Sequence, residues 1–308
     1  MHKSAGRNIN GVLLLDKPPG MSSNGALQQA KRLYQAKKAG HTGTLDPLAT
    51  GLLPLCFGEA TKFAQALLDA PKRYTATIRF GTTTTTGDAE GAVLTTREVT
   101  FDRDDLVRML RDFTGSLLQV PPVYSALKYQ GRAYYEYARA GTDIPRVARE
   151  VEVRALRLLD WTAPDAIVDV VCSKGTYVRV LAEDIGERLG CGAHLAALRR
   201  TESGGFSVTN GVTLEALAAM TDHARLAALL PPDAPLAAMP RLDLDAEAED
   251  AIVSGRRPVL DVMEGRYRAY GGGERFLGLV EAQAGILRAV RLTMDACVRP
   301  DASEHVTE

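Results

Sequence analysis

Residues 40–62 read GHTGTLDPLATGLLPLCFGEATK, and the loop in its first half decides how the rest of the chain is read. From Gly40 to Gly51 it holds one carboxylate, one imidazole, three threonines and three glycines. Pro47 pushes Asp46 out of the α region into an extended conformation. The glycines let the backbone turn sharply and let a ligand come close. Asp46 therefore projects from a rigid loop with no acidic partner, which suits neither a paired-carboxylate hydrolase nor an oxygen-rich metal site. The ordinary reading of an Asp before Pro is a local turn cap. A phosphate-binding loop is a weaker reading, because both the Gly-x-Gly-x-x-Gly spacing and a Gly-Lys-Ser/Thr run are missing. His41 and Asp46, with no Ser or Cys nucleophile between them, make no triad, so His41 reads as a positioning residue.

Outward from the loop, GVLLL at 11–15 predicts a short buried strand, ended by the turn signal Asp16-Lys17-Pro18-Pro19-Gly20. Ser22 or Ser23 caps a helix over about Gly25 to Lys38, stopped by Gly40. A second helix is expected from about Ala60 to Leu68. Tyr74 to Phe80 alternates as a strand, with Tyr74, Ala76, Ile78 and Phe80 on one face. Thr82 to Thr86 with Gly87-Asp88 reads as a polar connection. Asp102 to Phe113 reads as a helix, Val151–Leu159 and Ala166–Cys172 as paired strands, and Tyr177 leads into an amphipathic helix ending near Gly190. Residues 221–240 suggest a helix and a linker. A short acidic helix (Ala246–Ser254) and three strands (Tyr267–Tyr270, Phe276–Ala282, Ile286–Leu292) then suggest a small β-barrel. The class is α+β: a mixed, mostly antiparallel central sheet with flanking helices plus a small β domain.

The composition is that of a globular chain: 308 residues, 45% hydrophobic and 24% charged. Four scattered cysteines (Cys56, Cys172, Cys191, Cys297) form no CxxC pair and read as reduced thiols in a cytoplasmic protein without a metal site. No signal peptide and no membrane span is expected. The net charge is −1, but residues 1–80 carry 11 Lys/Arg against 4 Asp/Glu. Lys31, Arg32, Lys37 and Lys38 stand immediately before the loop. Such asymmetry suits a polyanion docking on one face, although a charge run by itself is usually a solvated helix face.

The string quoted above, preceded by GVLLLDKPPGMSSN (11–24) and followed by KRYTATIRFG (72–81), resembles the TruB family, the bacterial tRNA pseudouridine synthases that act on the T-loop uridine at tRNA position 55. PPVYSALKYQGRAYYEYARAG (121–141), SKGTYVRVLAEDIGERLG (173–190) and AHLAALRRTESGGF (193–206) continue the family's order. The resemblance implies the pseudouridine synthase fold over 1–240, with an RNA-closing insertion at about 124–150. It also implies a PUA-like RNA-binding domain over 241–298, matched less sharply, chiefly in GRRP (255–258). Residues 299–308 are expected to be a disordered tail.

The resemblance places the chemistry on Asp46, which must be ionised to act, and holds it charged with Arg179. It has Tyr74 stack on a flipped-out uracil and assist proton removal from C5. Tyr177 and Leu198 resemble residues around the base, Lys62 one that contacts RNA, and His41 one that wedges into the RNA loop. Lys17 reads as a support of the catalytic loop. Neither cofactor nor metal is implied, and the partner is the T-arm of tRNA, bound by a monomer. Read from residues alone, Arg179 is an ordinary helix arginine and Tyr74 a half-buried strand tyrosine. Two other functions stay open at this stage: an RNA-binding folding chaperone with a vestigial site, and a small-molecule enzyme using the loop for phosphate.

Overall fold

A computed structural model describes residues 6–297; the expected tail at 299–308 and the side chain of Cys297 lie outside the described residues. The chain runs β1 (Gly11–Lys17), α1 (Ser23–Leu33), β2 (Ala39–His41), β3 (Thr50–Phe57), α2 (Ala64–Asp69), β4 (Lys72–Phe80), β5 (Thr82–Thr84), β6 (Val93–Thr96), α3 (Arg103–Asp112), β7 (Gly115–Gln119), β8 (Lys128–Tyr129), β9 (Arg132–Ala133) and α4 (Tyr134–Arg139). It continues through β10 (Arg149–Thr162), β11 (Asp165–Cys172), α5 (Val178–Arg188), β12 (Ala193–Ser203), β13 (Phe206–Ser207), β14 (Val212–Thr213), α6 (Leu214–Ala219) and α7 (Asp222–Ala227). The last unit holds β15 (Arg241–Asp243), α8 (Ala246–Val253), β16 (Gly265–Gly271), β17 (Arg275–Gln283), β18 (Ile286–Leu292) and α9 (Met294–Cys297).

Among the described residues ten strands form one sheet, in the order β14-β1-β3-β12-β4-β11-β10-β7 with β2 and β13 attached at β3 and β12. Its pairings are antiparallel except β1–β14 and β12–β3. The period-two pattern of β4 sets its two faces: Tyr74, Ala76, Ile78 and Phe80 are buried, while Thr75, Thr77 and Arg79 are less so. These buried residues join Leu13, Leu15, Leu53, Leu55, Phe57 and Val168 in the main core. The helices expected at 102–113 and 178–190 form on that core, the first with Asp102 as the cap of a capping box.

Several elements depart from expectation. The first helix, capped by Ser22, ends at Leu33 and not at Lys38. Gln35 takes φ 51°, which breaks the helical path, and Lys37 N–H then donates to the Arg7 carbonyl. The second helix divides into a 3-10 turn (Gly58–Lys62) and a short α-helix. The threonine run at 82–84 is a strand paired with β6, since β-branched residues suit a pleated ladder. Within 124–150, a two-residue turn at Gln130-Gly131, both at positive φ, closes a small hairpin before α4. Tyr134 is buried, whereas Tyr137 stacks edge-on with Tyr129 and under the Arg132 guanidinium.

The expected C-terminal strands appear as a four-stranded sheet, β15-β16-β17-β18, covered by α8, with its own core of Leu244, Ile252, Tyr267, Leu277, Val280 and Leu287. No ladder among the described residues joins the two edges of this sheet. Phe63 packs edge-on against Phe276 across the boundary with the large sheet, at a centroid distance of 5.3 Å. Asp233 accepts from Arg268 Nη1 at 2.8 Å and from the Tyr270 hydroxyl. No described helix is long and apolar enough to cross a membrane.

The approach of β3 to β12 depends on Gly51, whose φ is 97° and whose added Cβ would stand 2.3 Å from the Arg200 carbonyl oxygen. Gly51→Ala is expected to destabilise the protein by about 2–4 kcal/mol. A fall in the urea midpoint checks this, and an unchanged midpoint would show that the two strands can separate at no cost.

Candidate active site

The loop between β2 and β3 is fixed by buried polar contacts before Asp46 contributes any chemistry. Ser23 Oγ donates to the Leu45 carbonyl at 2.9 Å and accepts from Leu45 N–H at 2.7 Å. Thr42 N–H donates to the Pro54 carbonyl at 3.1 Å. Lys17, fully buried at the end of β1, donates to the carbonyls of Met21 at 2.6 Å, Pro18 at 2.8 Å and Pro47 at 3.4 Å. Burial lowers its pKa to about 8, with Asp46 opposing that shift. Lys17 thus braces the loop from beneath. The turn after Asp46 is closed by the main chain, Ala49 N–H to Asp46 C=O at 3.0 Å, so the carboxylate itself reaches elsewhere.

It reaches Arg179. Oδ2 of Asp46 lies 3.0 Å from Arg179 Nε; the arginine side chain is 5% exposed and the aspartate side chain 39%. Arg179 is the second residue of α5. The start of that helix is held by Gln119 at the sheet edge, whose Oε1 accepts from Tyr177 N–H at 3.0 Å and whose Nε2 donates to the Tyr177 carbonyl at 3.3 Å. The other guanidinium donors are also used. Nη1 donates to the Thr86 carbonyl at 2.9 Å and lies 3.5 Å from Asp88 Oδ2; Nη2 donates to the Tyr124 carbonyl at 2.7 Å. Asp88 in turn accepts from Thr86 Oγ1 at 2.5 Å and from Glu90 N–H at 3.1 Å.

Burial raises the Asp46 pKa above its usual value, Arg179 pulls it down and the Asp88 charge pushes it up again. The balance is a carboxylate open to solvent on one side and pinned on the other. Removing the cation would leave the buried Asp88 and the half-exposed Asp46 without their counter-charge.

Two cavities meet at this pair. The smaller, about 380 Å³, is walled by Tyr74, Tyr177, Leu198, Lys72 and Arg200. The larger, about 580 Å³, is lined by His41, Asn24, Glu90, Tyr135 and Arg139. Asp46, Arg179 and Ser125 border both. Either volume is of the size that holds a small ligand. Tyr74 is buried on β4, and burial raises its pKa against the opposing Arg200 charge. His41 has a buried Nδ1 without a partner among the described residues, and burial and then Arg200 lower its pKa.

Most of the residues singled out in the sequence therefore converge: Asp46, Arg179, Tyr74, Tyr177 and Leu198 on the small cavity, His41 on the large one, Lys17 beneath the loop. Lys62 does not join them. Its ammonium is occupied by Glu59 at 2.8 Å and by the Leu292 carbonyl of β18 at 3.0 Å, so it pins the C-terminal sheet to the large domain. Asp88, Gln119, Lys72 and Arg200 were not foreseen. Only Asp88 left a trace, as the acidic residue after Gly87 in a threonine run; the others are charged or amide residues whose burial is decided by tertiary packing.

The fold sets one arginine-clamped carboxylate beside an aromatic-walled cavity. The family model for the TruB family pseudouridylate synthase N-terminal domain matches residues 31–178, and that for the tRNA pseudouridylate synthase B C-terminal domain matches residues 179–236. The chain is 55% identical over 300 residues to tRNA pseudouridine synthase B of Burkholderia mallei, spanning 95% of this chain and 96% of that one. It is 54% identical over 297 residues to tRNA pseudouridine synthase B of Cupriavidus metallidurans, spanning 93% and 95%. Among solved structures it resembles a chain of a Cbf5-Nop10-Gar1 complex, with TM-score 0.67, 27% identity, and coverage of 89% of this chain and 78% of that one. A chain of an H/ACA RNP bound to a substrate RNA containing 2′-deoxyuridine gives TM-score 0.67 at 25% identity, with coverage of 89% and 78%. The chain belongs to the TruB family and is a pseudouridine synthase.

The raised Asp46 pKa predicts that activity falls with decreasing pH from above the usual aspartate value. Asp88→Asn removes a like charge and should move that acidic limb to lower pH. The profile of kcat/KM against pH measures it; an unmoved or raised limb would show that Asp88 does not act on Asp46 through charge.

Proposed function

We propose that the protein converts the T-loop uridine of tRNA to pseudouridine. The single observation that carries this reading is the placement of Asp46, clamped by Arg179, where an aromatic-walled cavity opens. The conversion breaks the C1′–N1 bond, turns the uracil and joins C1′ to C5. The C5 proton is lost and N1 ends protonated, so substrate and product are isomers and no oxidant or reductant is consumed. Asp46 acts as the carboxylate that assists glycosidic cleavage. Arg179 keeps it ionised and aimed. Tyr74 offers its ring to a base that has lost its stacking neighbours and its phenol to the C5 side.

Extruding a base from a structured loop costs a few kcal/mol. The larger cavity, with His41 at its wall, gives room for nucleotides beside the target. Tyr135 with Arg139 and Tyr137 with Arg132 set cations over rings on the 124–150 insertion, a surface suited to stacking and phosphate contact. The C-terminal sheet fits the role of a PUA-like domain that holds a distant part of the tRNA. Its anchoring at Lys62, Phe63 and Asp233 supports a fixed spacing from the catalytic loop.

Asp46→Asn is isosteric and should leave tRNA affinity within about threefold while lowering the rate by at least about 10³-fold. Site-mapped pseudouridine in unmodified tRNA, measured beside binding, tests it. Wild-type product elsewhere than the T-loop would refute the substrate; product from the Asp46→Asn enzyme would refute the role of the carboxylate.

A further inference from the structure

Arg200 is one of three cations lining the small cavity, with Lys72 and Lys174, that the reaction has not yet used. It lies on β12 and is 1% exposed. A guanidinium stays charged at any ordinary pH, and burying a charge is costly unless it is paired. Among the described residues no carboxylate pairs with Arg200. Its partners are neutral. Nε donates to the Leu52 carbonyl at 2.6 Å and Nη2 donates to the Gly43 carbonyl at 3.1 Å, and the guanidinium lines the same cavity as the Tyr74 ring.

These contacts fall on the elements that carry the chemistry. Gly43 lies three positions before Asp46, in the same loop, at a φ of 114°. Arg200 and Tyr74 are facing residues in the β12–β4 ladder. The neighbouring cation, Lys72, cannot do this work. Its ammonium is committed to the carbonyls of Leu67, Leu68 and Ala70 at 2.6–3.1 Å, which cap α2. A planar fork can hold two carbonyls at fixed angles beside the Tyr74 ring, where a point charge cannot.

We propose that Arg200 is a positioning residue for the isomerisation: one buried guanidinium ties the Asp46 loop to the Tyr74 ring, so that carboxylate and phenol close on the same base. The proposal rests on the roles given above to Asp46 and Tyr74. The same cation opposes the rise that burial imposes on the Tyr74 pKa.

The test is a double-substitution cycle in the full-length protein with Arg200→Lys and Tyr74→Phe. Single-turnover pseudouridine formation and equilibrium binding are both read on an unmodified tRNA transcript. Arg200→Lys is expected to slow the single-turnover rate about tenfold or more at saturating tRNA while binding stays within about threefold. The double variant is expected within about threefold of the slower single one, because each substitution breaks the same link. Losses that multiply in the double variant would overturn the proposal, as would affinity falling in step with the rate. Arg200→Gln is carried in parallel, and a native near-UV circular dichroism spectrum is required of each variant. Loss of that spectrum in both Arg200 variants would reduce Arg200 to a structural role and also overturn the proposal. A wild-type protein that forms no pseudouridine would instead refute the proposed function, an outcome the cycle keeps separate.

Discussion

The contact on which the site depends is the fork of Arg179. Its three nitrogens bind three segments far apart in sequence: the Asp46 loop, the Thr86–Asp88 turn and the Tyr124 carbonyl at the root of the insertion. A lysine could not serve them all, since an ammonium lacks the planar geometry. The arginine therefore does two things at once. It opposes the rise that burial imposes on the Asp46 pKa, and it joins the Asp46 loop to the base of the 124–150 insertion.

Around that fork the protein spends buried cations to hold backbone. Lys17 binds three carbonyls beneath the loop, Lys72 binds three at the end of α2, and Arg200 binds two next to Tyr74. Loops carry unsatisfied carbonyls, and a buried one must find a donor. Charged donors make the stronger bonds. The result is a rigid loop with a positive underside, which suits the polyanionic RNA that a pseudouridine synthase acts on.

How much of this was legible depends on the distance over which the deciding contacts run. The alternation of β4 put Tyr74 on the buried face, and the hydrophobic run of β1 and the helix at 178–188 could be read locally. The motif resemblance brought Asp46, Tyr74 and Arg179 together, and the structure sets them around one cavity. What local pattern could not give was the partner of each buried charge. Asp88 meets Arg179 across 91 positions, and Arg200 meets Gly43 across 157. Lys62 shows the converse: the resemblance implied an RNA contact, and the structure sets its ammonium on Glu59 and the β18 carbonyl. The end of α1 was misjudged because Gln35, a good helix former, is turned to positive φ by pairing of the following residues with Arg7.

The central claim is that Arg179 keeps Asp46 ionised. The most direct measurement is the Asp46 pKa itself, followed by the carboxyl carbon resonance in aspartate-labelled protein, for wild type and Arg179→Gln. Loss of the cation should raise the pKa further, because burial and the Asp88 charge would then act unopposed by their largest counterweight. A pKa that stays in place or falls would contradict the account and leave the arginine a purely steric brace.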